Sequence, residues 1–227
     1  MKTRRQFIGL TVRLLSALGL LVCGVGDGLR KAWAQTKRIL LPKGTDLNTL
    51  INKNPADLDT RHLELLPLQE FQTMGLTDHD ADLKTWQLEI GGNVAAARKL
   101  SYTEILELPS IERNVLLICP GVFSNHGRWK GISLGTLLNL AQMKADTTHV
   151  TIYGPQGPYE KVERFPVADI HSDKVFLAYA VNGEALPQKH GFPLRIVAED
   201  YYGAEWVKYV YKVEAFKVDS QKCRALQ

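Results

Sequence analysis

Apolar and polar positions first settle into a rhythm at "LKTWQLEIGG", where Trp86, Leu88 and Ile90 alternate with polar neighbours and Gly91-Gly92 closes the run. That alternation predicts a half-buried strand entering a tight turn. "SYTE" at Ser101 to Glu104 has the spacing of a capping box and predicts a short helix that Pro109 closes. "NVLLIC" follows, a continuous apolar run ending at Cys119 that suits a strand buried on both faces. Beyond Pro120-Gly121 the residues Asn125, His126, Arg128 and Trp129 read as a polar loop.

Ser133 caps a second predicted helix over "LGTLLNLA", and "HVTIYG" at His149 to Gly154 predicts another strand. In "KVFLAYAVNGEALP", Asn182-Gly183 sits between two strand-like runs, a strong hairpin signal. "FPLRIVAE" and "EWVKYVYKVEAF" predict two further strands. Short helices mixed with many strands, without regular alternation, give an expected class of α+β: a mixed, mostly β single domain over residues 61–227. Residues 35–60 are polar and turn-rich, and read as an irregular N-terminal arm.

The first 34 residues read as an address. Paired Arg4 and Arg5 precede Phe7 in "TRRQFIG", an apolar stretch runs from Leu14 to Val25, and "AWA" at Ala32 to Ala34 offers a cleavage site. These are the parts of a twin-arginine signal, and the apolar stretch is shorter than the roughly 20 residues that span a bilayer. The expectation is export to the periplasm, already folded, by the twin-arginine (Tat) machinery. Folded export has a common reason in a cofactor inserted before export.

Removing the leader changes the charge argument. It holds six of the 28 basic residues and one of the 24 acidic ones, leaving 22 against 23. No basic run survives, so nucleic acid is not an expected partner. Of the three cysteines, Cys119 and Cys223 remain. In an oxidising compartment they could pair, and such a disulfide in a non-catalytic exported domain is one open reading.

Familiar catalytic motifs are missing from the sequence: GxGxxG, a P-loop, CxxC and HExxH. The six histidines show no spacing that would put two ligands on one helix face. Two stretches resist a purely structural reading. Cys119 ends a buried strand just before a turn, where cationic neighbours would favour the metal-binding thiolate. In "HGFPLRIVAEDYYGAEWVKYV", His190, Arg195 and Lys208 fall on neighbouring segments, and converging cations suit a phosphate-bearing ligand.

In order, "LLICPG…NHGRWKGISLGTLL", "KVFLAYAVNGEALPQKHGFPLRIV" and "YYGAEWVKYVYKV" resemble the molybdopterin-binding domain of the sulfite oxidase family, from about Leu65 to Phe216. The family also includes periplasmic protein-methionine-sulfoxide reductase. The resemblance implies that fold, a single-pterin molybdenum-molybdopterin cofactor, and Cys119 as the protein ligand of the metal. It maps the pterin and its phosphate onto His190, Arg195 and Lys208, with the backbone around Trp206 and Val207 helping. His126, Arg128, Tyr201 and Tyr202 are candidates for the pocket rim by position. A soft thiolate suits an electron-rich molybdenum centre.

The chain also departs from that pattern. Where sulfite oxidases carry an arginine pair after the cysteine, Pro120 to Phe123 are uncharged, and Met74, Gly75 and Leu76 replace an arginine-asparagine-histidine run. The expectation is therefore oxygen-atom transfer on a small-molecule or side-chain oxo substrate, leaning to an S-oxide or N-oxide reductase, with a sulfite dehydrogenase as the alternative. Lacking CxxCH or an iron-sulfur pattern, the sequence calls for a separate redox partner, a haem protein or a quinone-linked membrane subunit.

Overall fold

The structure is a computed structural model that describes residues 38–217; the leader, Cys23 and Cys223 lie outside the described residues. In chain order its strands begin with β1 (Ile39–Leu40), β2 (Leu58–Asp59), β3 (Gln87–Gly92) and β4 (Arg98–Ser101). Helix α1 (Tyr102–Glu107) leads to β5 (Ser110–Cys119) and β6 (Phe123–Ser133), then α2 (Leu134–Leu140), β7 (His149–Gly154) and β8 (Lys161–Pro166). After α3 (Val167–His171) come β9 (Val175–Val181), β10 (Glu184–Ala185), β11 (Arg195–Ala198) and β12 (Lys212–Phe216). One sheet is antiparallel, ordered β10-β9-β6-β5 with β11 also on β9. The other is ordered β4-β3-β12-β7-β8, and is mixed because β12 runs parallel to β3. The mixed, mostly β class expected from the sequence is the class observed.

One apolar core holds the inner faces of both sheets together: Leu88 and Ile90 of β3 and Val150 and Ile152 of β7 meet Leu117, Trp129 and Phe176. The capping box forms as the spacing predicted, Ser101 accepting from Glu104 N while the Glu104 carboxylate accepts from Ser101 N at 2.7 Å.

The run before Cys119 is buried on both faces for a reason the sequence did not give. Val115 and Leu117 face the main core, whereas Leu116 and Ile118 pack on Leu41, Leu50, Leu58 and Leu63. Alternation along a strand sends the two sets to opposite sides. The stretch expected to be an irregular arm thus floors β5 from behind, and carries three-residue and four-residue 3₁₀ turns capped by Asn54 and Asp46 and a short parallel pairing of β1 with β2.

Two expectations are corrected. The polar loop after Pro120-Gly121 is the strand β6, paired with β5 from Cys119↔Phe123 to Ser110↔Ile132. Its buried polar residues are accommodated because each finds a backbone partner: Ser124 Oγ donates to Leu47 O, Asn125 bonds both main-chain groups of Gln72, and His126 Nδ1 lies 3.0 Å from Glu64 O. The long strand expected over "EWVKYVYKVEAF" contracts to β12. Residues 203–205 form a 3₁₀ turn, and Tyr209 takes a positive φ of 55° that an extended strand cannot accommodate.

Candidate functional site

Cys119 is the last residue of β5, and its side chain shares a face with Leu117, two positions earlier. Both line a cavity of about 330 Å³, a size within the usual range of small-molecule sites. Phe123, paired with Cys119 across the hairpin, adds an apolar wall. Loop residues Gln72 to Leu76 close one side, and Arg195, Trp206, Lys208 and Tyr209 form another. Gly203 also lines the cavity; a side chain there would meet Leu117 at 2.9 Å and Ile118 O at 3.2 Å, so glycine lets this turn lie against β5.

Arg195 opens β11 and is 5% exposed. Its guanidinium lies 5.1 Å from the Trp129 ring and 5.5 Å from that of Trp206, and donates to His190 O at 3.0 Å, while Nε has no partner. Burial pulls it down to about 10. The Lys208 ammonium donates to Leu76 O, to Thr73 Oγ1 at 3.3 Å and to Lys189 O at 3.2 Å; burial, then the Arg195 charge, lowers it to about 8. Gly191, at φ 108°, packs against the side chains of Lys208 and Arg195. His190 is 2% exposed with an unpartnered Nε2, and burial followed by the charges of Arg195, Lys189 and Lys208 lowers it to about 4. Its ring stands edge-on to Phe71 and is neutral at pH 7.

Of the residues singled out from sequence, Cys119, Arg195, Trp206 and Lys208 line this cavity. His190 stands behind that wall, beside Arg195. Val207 is fully buried and its main chain is engaged, N with Glu205 O and O with Ile196 N. His126 is fully buried beneath the arm, with Nδ1 at Glu64 O. Arg128 is half-exposed, 3.9 Å from Glu112. Tyr201 donates to Asp169 at 2.5 Å, and Tyr202 packs against the arm cluster. None of these four lines the cavity: strand alternation turns His126 and Arg128 away from it, and the turn at 203–205 places Gly203 and Ala204 there in place of the tyrosines.

The expected cationic activation of Cys119 is also corrected. Burial pushes its thiol up, and no cation offsets this; the positive charges gather elsewhere along the cavity. Sequence reading met Met74, Gly75 and Leu76 only as a departure from the resembled pattern; the loop Gln72 to Leu76 nevertheless lines the cavity, held by Lys208, by Tyr209 OH at 3.1 Å from Leu76 O, and by Asn125. No periodicity marks such a loop, and within it the turn glycine Gly75 stands at φ 76°.

The arrangement has two chemical ends. Lys161, Arg195 and Lys208 line the cavity and none of the described lining residues is acidic, so buried cations with an orphaned guanidinium N–H await an anion. Cys119, among Leu117 and Phe123, offers a soft sulfur in apolar surroundings. These residues fit a molybdopterin: a phosphate for the cations and a metal for the thiolate.

Comparison with known proteins agrees with that fit. The family described as the oxidoreductase molybdopterin binding domain matches residues 74–223. The chain is 30% identical over 145 residues to the protein-methionine-sulfoxide reductase catalytic subunit MsrP of Gluconobacter oxydans, covering 56% of this chain and 46% of that protein. It is 28% identical over 131 residues to the uncharacterized oxidoreductase YuiH of Bacillus subtilis, covering 56% and 65%. The chain thus spans less than two thirds of the length of these relatives. Among solved structures, the sulfane dehydrogenase SoxCD from Paracoccus pantotrophus superposes with a TM-score of 0.58 at 22% identity, covering 63% of this chain and 41% of that one, a likeness of fold.

Proposed function

Because this chain belongs to the oxidoreductase molybdopterin binding domain family, we propose that it is a periplasmic molybdenum-molybdopterin oxidoreductase that reduces an uncharged S-oxide or N-oxide. The paired Arg4-Arg5 leader supports folded export by the twin-arginine route. Among the described residues no helix is long and apolar enough to cross a membrane.

Cys119 would hold the metal, and Arg195 and Lys208 the anionic end of the pterin, with His190 orienting Arg195 through its carbonyl. When bound, the molybdenum supplies two-electron oxygen-atom exchange. The chain's own residues position and exclude. The Trp129 and Trp206 rings fix the guanidinium plane, Lys208 tethers the loop at Leu76, and Leu117 and Phe123 give the sulfur apolar neighbours. Reduction of an S-oxide consumes two electrons and two protons and yields a thioether and water. The electrons come from a separate redox partner.

One observation carries the choice of substrate: the surroundings of Cys119 are apolar, with Leu117 and Phe123 beside it and no charge from Pro120 to Phe123. Beside the sulfur an oxyanion such as sulfite would meet apolar side chains, since Arg195 and Lys208 are taken up by the pterin in this reading. The test is metal and pterin analysis of the exported protein, followed by turnover of S-oxides, N-oxides and sulfite with dye donors or acceptors. Near-stoichiometric molybdenum with oxide reduction is expected. Robust sulfite oxidation would overturn the substrate reading, and protein without metal from a pterin-competent host would overturn the enzyme reading.

A further inference from the structure

The hairpin that carries Cys119 is fastened from the side opposite the cavity, by main-chain groups of residues 47–66. Gly121 N, in the turn directly after Cys119, donates to Ile51 O at 3.0 Å. Ser124 Oγ, on β6, donates to Leu47 O at 2.5 Å, and the residue is only 6% exposed. Further along β6, Leu66 N donates to His126 O at 2.8 Å and His126 Nδ1 sits 3.0 Å from Glu64 O. The turn itself closes through Val122 N to Cys119 O at 3.0 Å, with Gly121 at φ 73°. Between these bonds lies the apolar floor of Leu41, Leu50, Leu58 and Leu63 under Leu116 and Ile118.

We infer that residues 46–66 act as a strap that sets where the Cys119 sulfur stands, and that Ser124 is a positioning residue for that ligand. A buried hydroxyl that bonds a carbonyl from a sequence-distant segment fixes the relative position of both chains, because leaving either group unpaired is costly. Ser124 pairs with Ile118 across the hairpin, one position before Cys119. Its bond therefore acts on the last turn of the ladder before the sulfur, while its side chain points away from the cavity. The sulfur's position is thus decided partly by groups that never meet a ligand. The inference rests on the reading of Cys119 as the metal ligand for its importance, though not for its geometry.

The experiment separates the two. Ser124→Ala and Ser124→Thr are made in the full chain and purified free of cofactor, and the alkylation rate of Cys119 is followed by peptide-resolved mass spectrometry, which distinguishes it from Cys223. Losing one hydrogen bond of about 1 kcal/mol shifts local opening about fivefold. Ser124→Ala is therefore expected to raise the Cys119 rate about fivefold, with near-native amide exchange in β7 and β12, and Ser124→Thr to restore it. In cofactor-loaded protein, Ser124→Ala should also broaden the Mo(V) paramagnetic signal. An unchanged alkylation rate in a folded Ser124→Ala protein, or a rise matched by exchange throughout both sheets, would overturn the positioning role. Loss of metal in Cys119→Ser bears only on the ligand reading, so the two failures are distinguishable.

Discussion

Replacing Arg195 with methionine should make the cofactor-free protein more stable while depriving it of its cofactor. Arg195 is 5% exposed, no carboxylate lies among the described lining residues, and burial lowers the guanidinium from 12.5 to about 10. At roughly 1.4 kcal/mol per tenfold change in proton affinity, holding that charge in the folded state costs on the order of 3 kcal/mol. Methionine keeps the unbranched stem and can rest its sulfur against Trp129 and Trp206. It forfeits the bond to His190 O, worth about 1 kcal/mol. The net gain of about 2 kcal/mol corresponds to a rise in Tm of roughly 4–8 °C for a domain of this size. Cofactor retention should move the other way, because a charge-assisted bond to phosphate is worth about 1.5–3 kcal/mol, or some 10- to 100-fold in affinity. Scanning calorimetry of protein made in a host without pterin synthesis measures the first effect, and pterin content after export from a competent host measures the second. A lower Tm for cofactor-free Arg195→Met would refute the claim that this charge is buried at a cost, and full pterin occupancy would refute its place at the anionic end.

Two further predictions concern the other members of the site. Cys119→Ser should leave the fold intact, with Tm within about 3 °C, but abolish molybdenum retention and the Mo(V) signal, because a hydroxyl is a harder and far less acidic ligand than a thiol. Elemental analysis that finds metal at wild-type level would remove Cys119 from the centre. His190 titrates at about 4 when folded, against 6.5 in the unfolded chain. Between those values the unfolded state binds more protons, so stability falls as pH drops through that window, by up to about 3 kcal/mol. Urea unfolding of cofactor-free protein at pH 7 and pH 4 should show that loss, and His190→Gln should reduce it; an identical pH profile in the variant would acquit His190.

Local chemistry was legible in the sequence wherever a residue's role depends on its near neighbours. The capping box at Ser101 and Glu104 formed as spaced, and Asn182-Gly183 turned between β9 and β10 with both residues at positive φ, as a two-residue hairpin requires. Cys119, Arg195, Trp206 and Lys208 meet in one cavity. What failed depends on groups far away in the chain. His126 and Arg128 read as loop residues because a run of polar side chains looks solvated, yet Ser124, Asn125 and His126 are buried by carbonyls of Leu47, Gln72 and Glu64, 53 to 77 residues distant. No pattern within the hairpin announces those partners. The double-sided burial of "NVLLIC" was readable, but not that the arm supplies one of the two sides.

That arm also decides where the chain can be cut. The family's match begins at residue 74, whereas Leu41, Leu50, Leu58 and Leu63, which cover Leu116 and Ile118, all lie before it. A fragment trimmed to the matched span would present two large aliphatic side chains to water on the strand that ends at Cys119, at a loss of about 1.5–3 kcal/mol each. Homology alone would draw the boundary too late, and recombinant protein begun there should collect in aggregates.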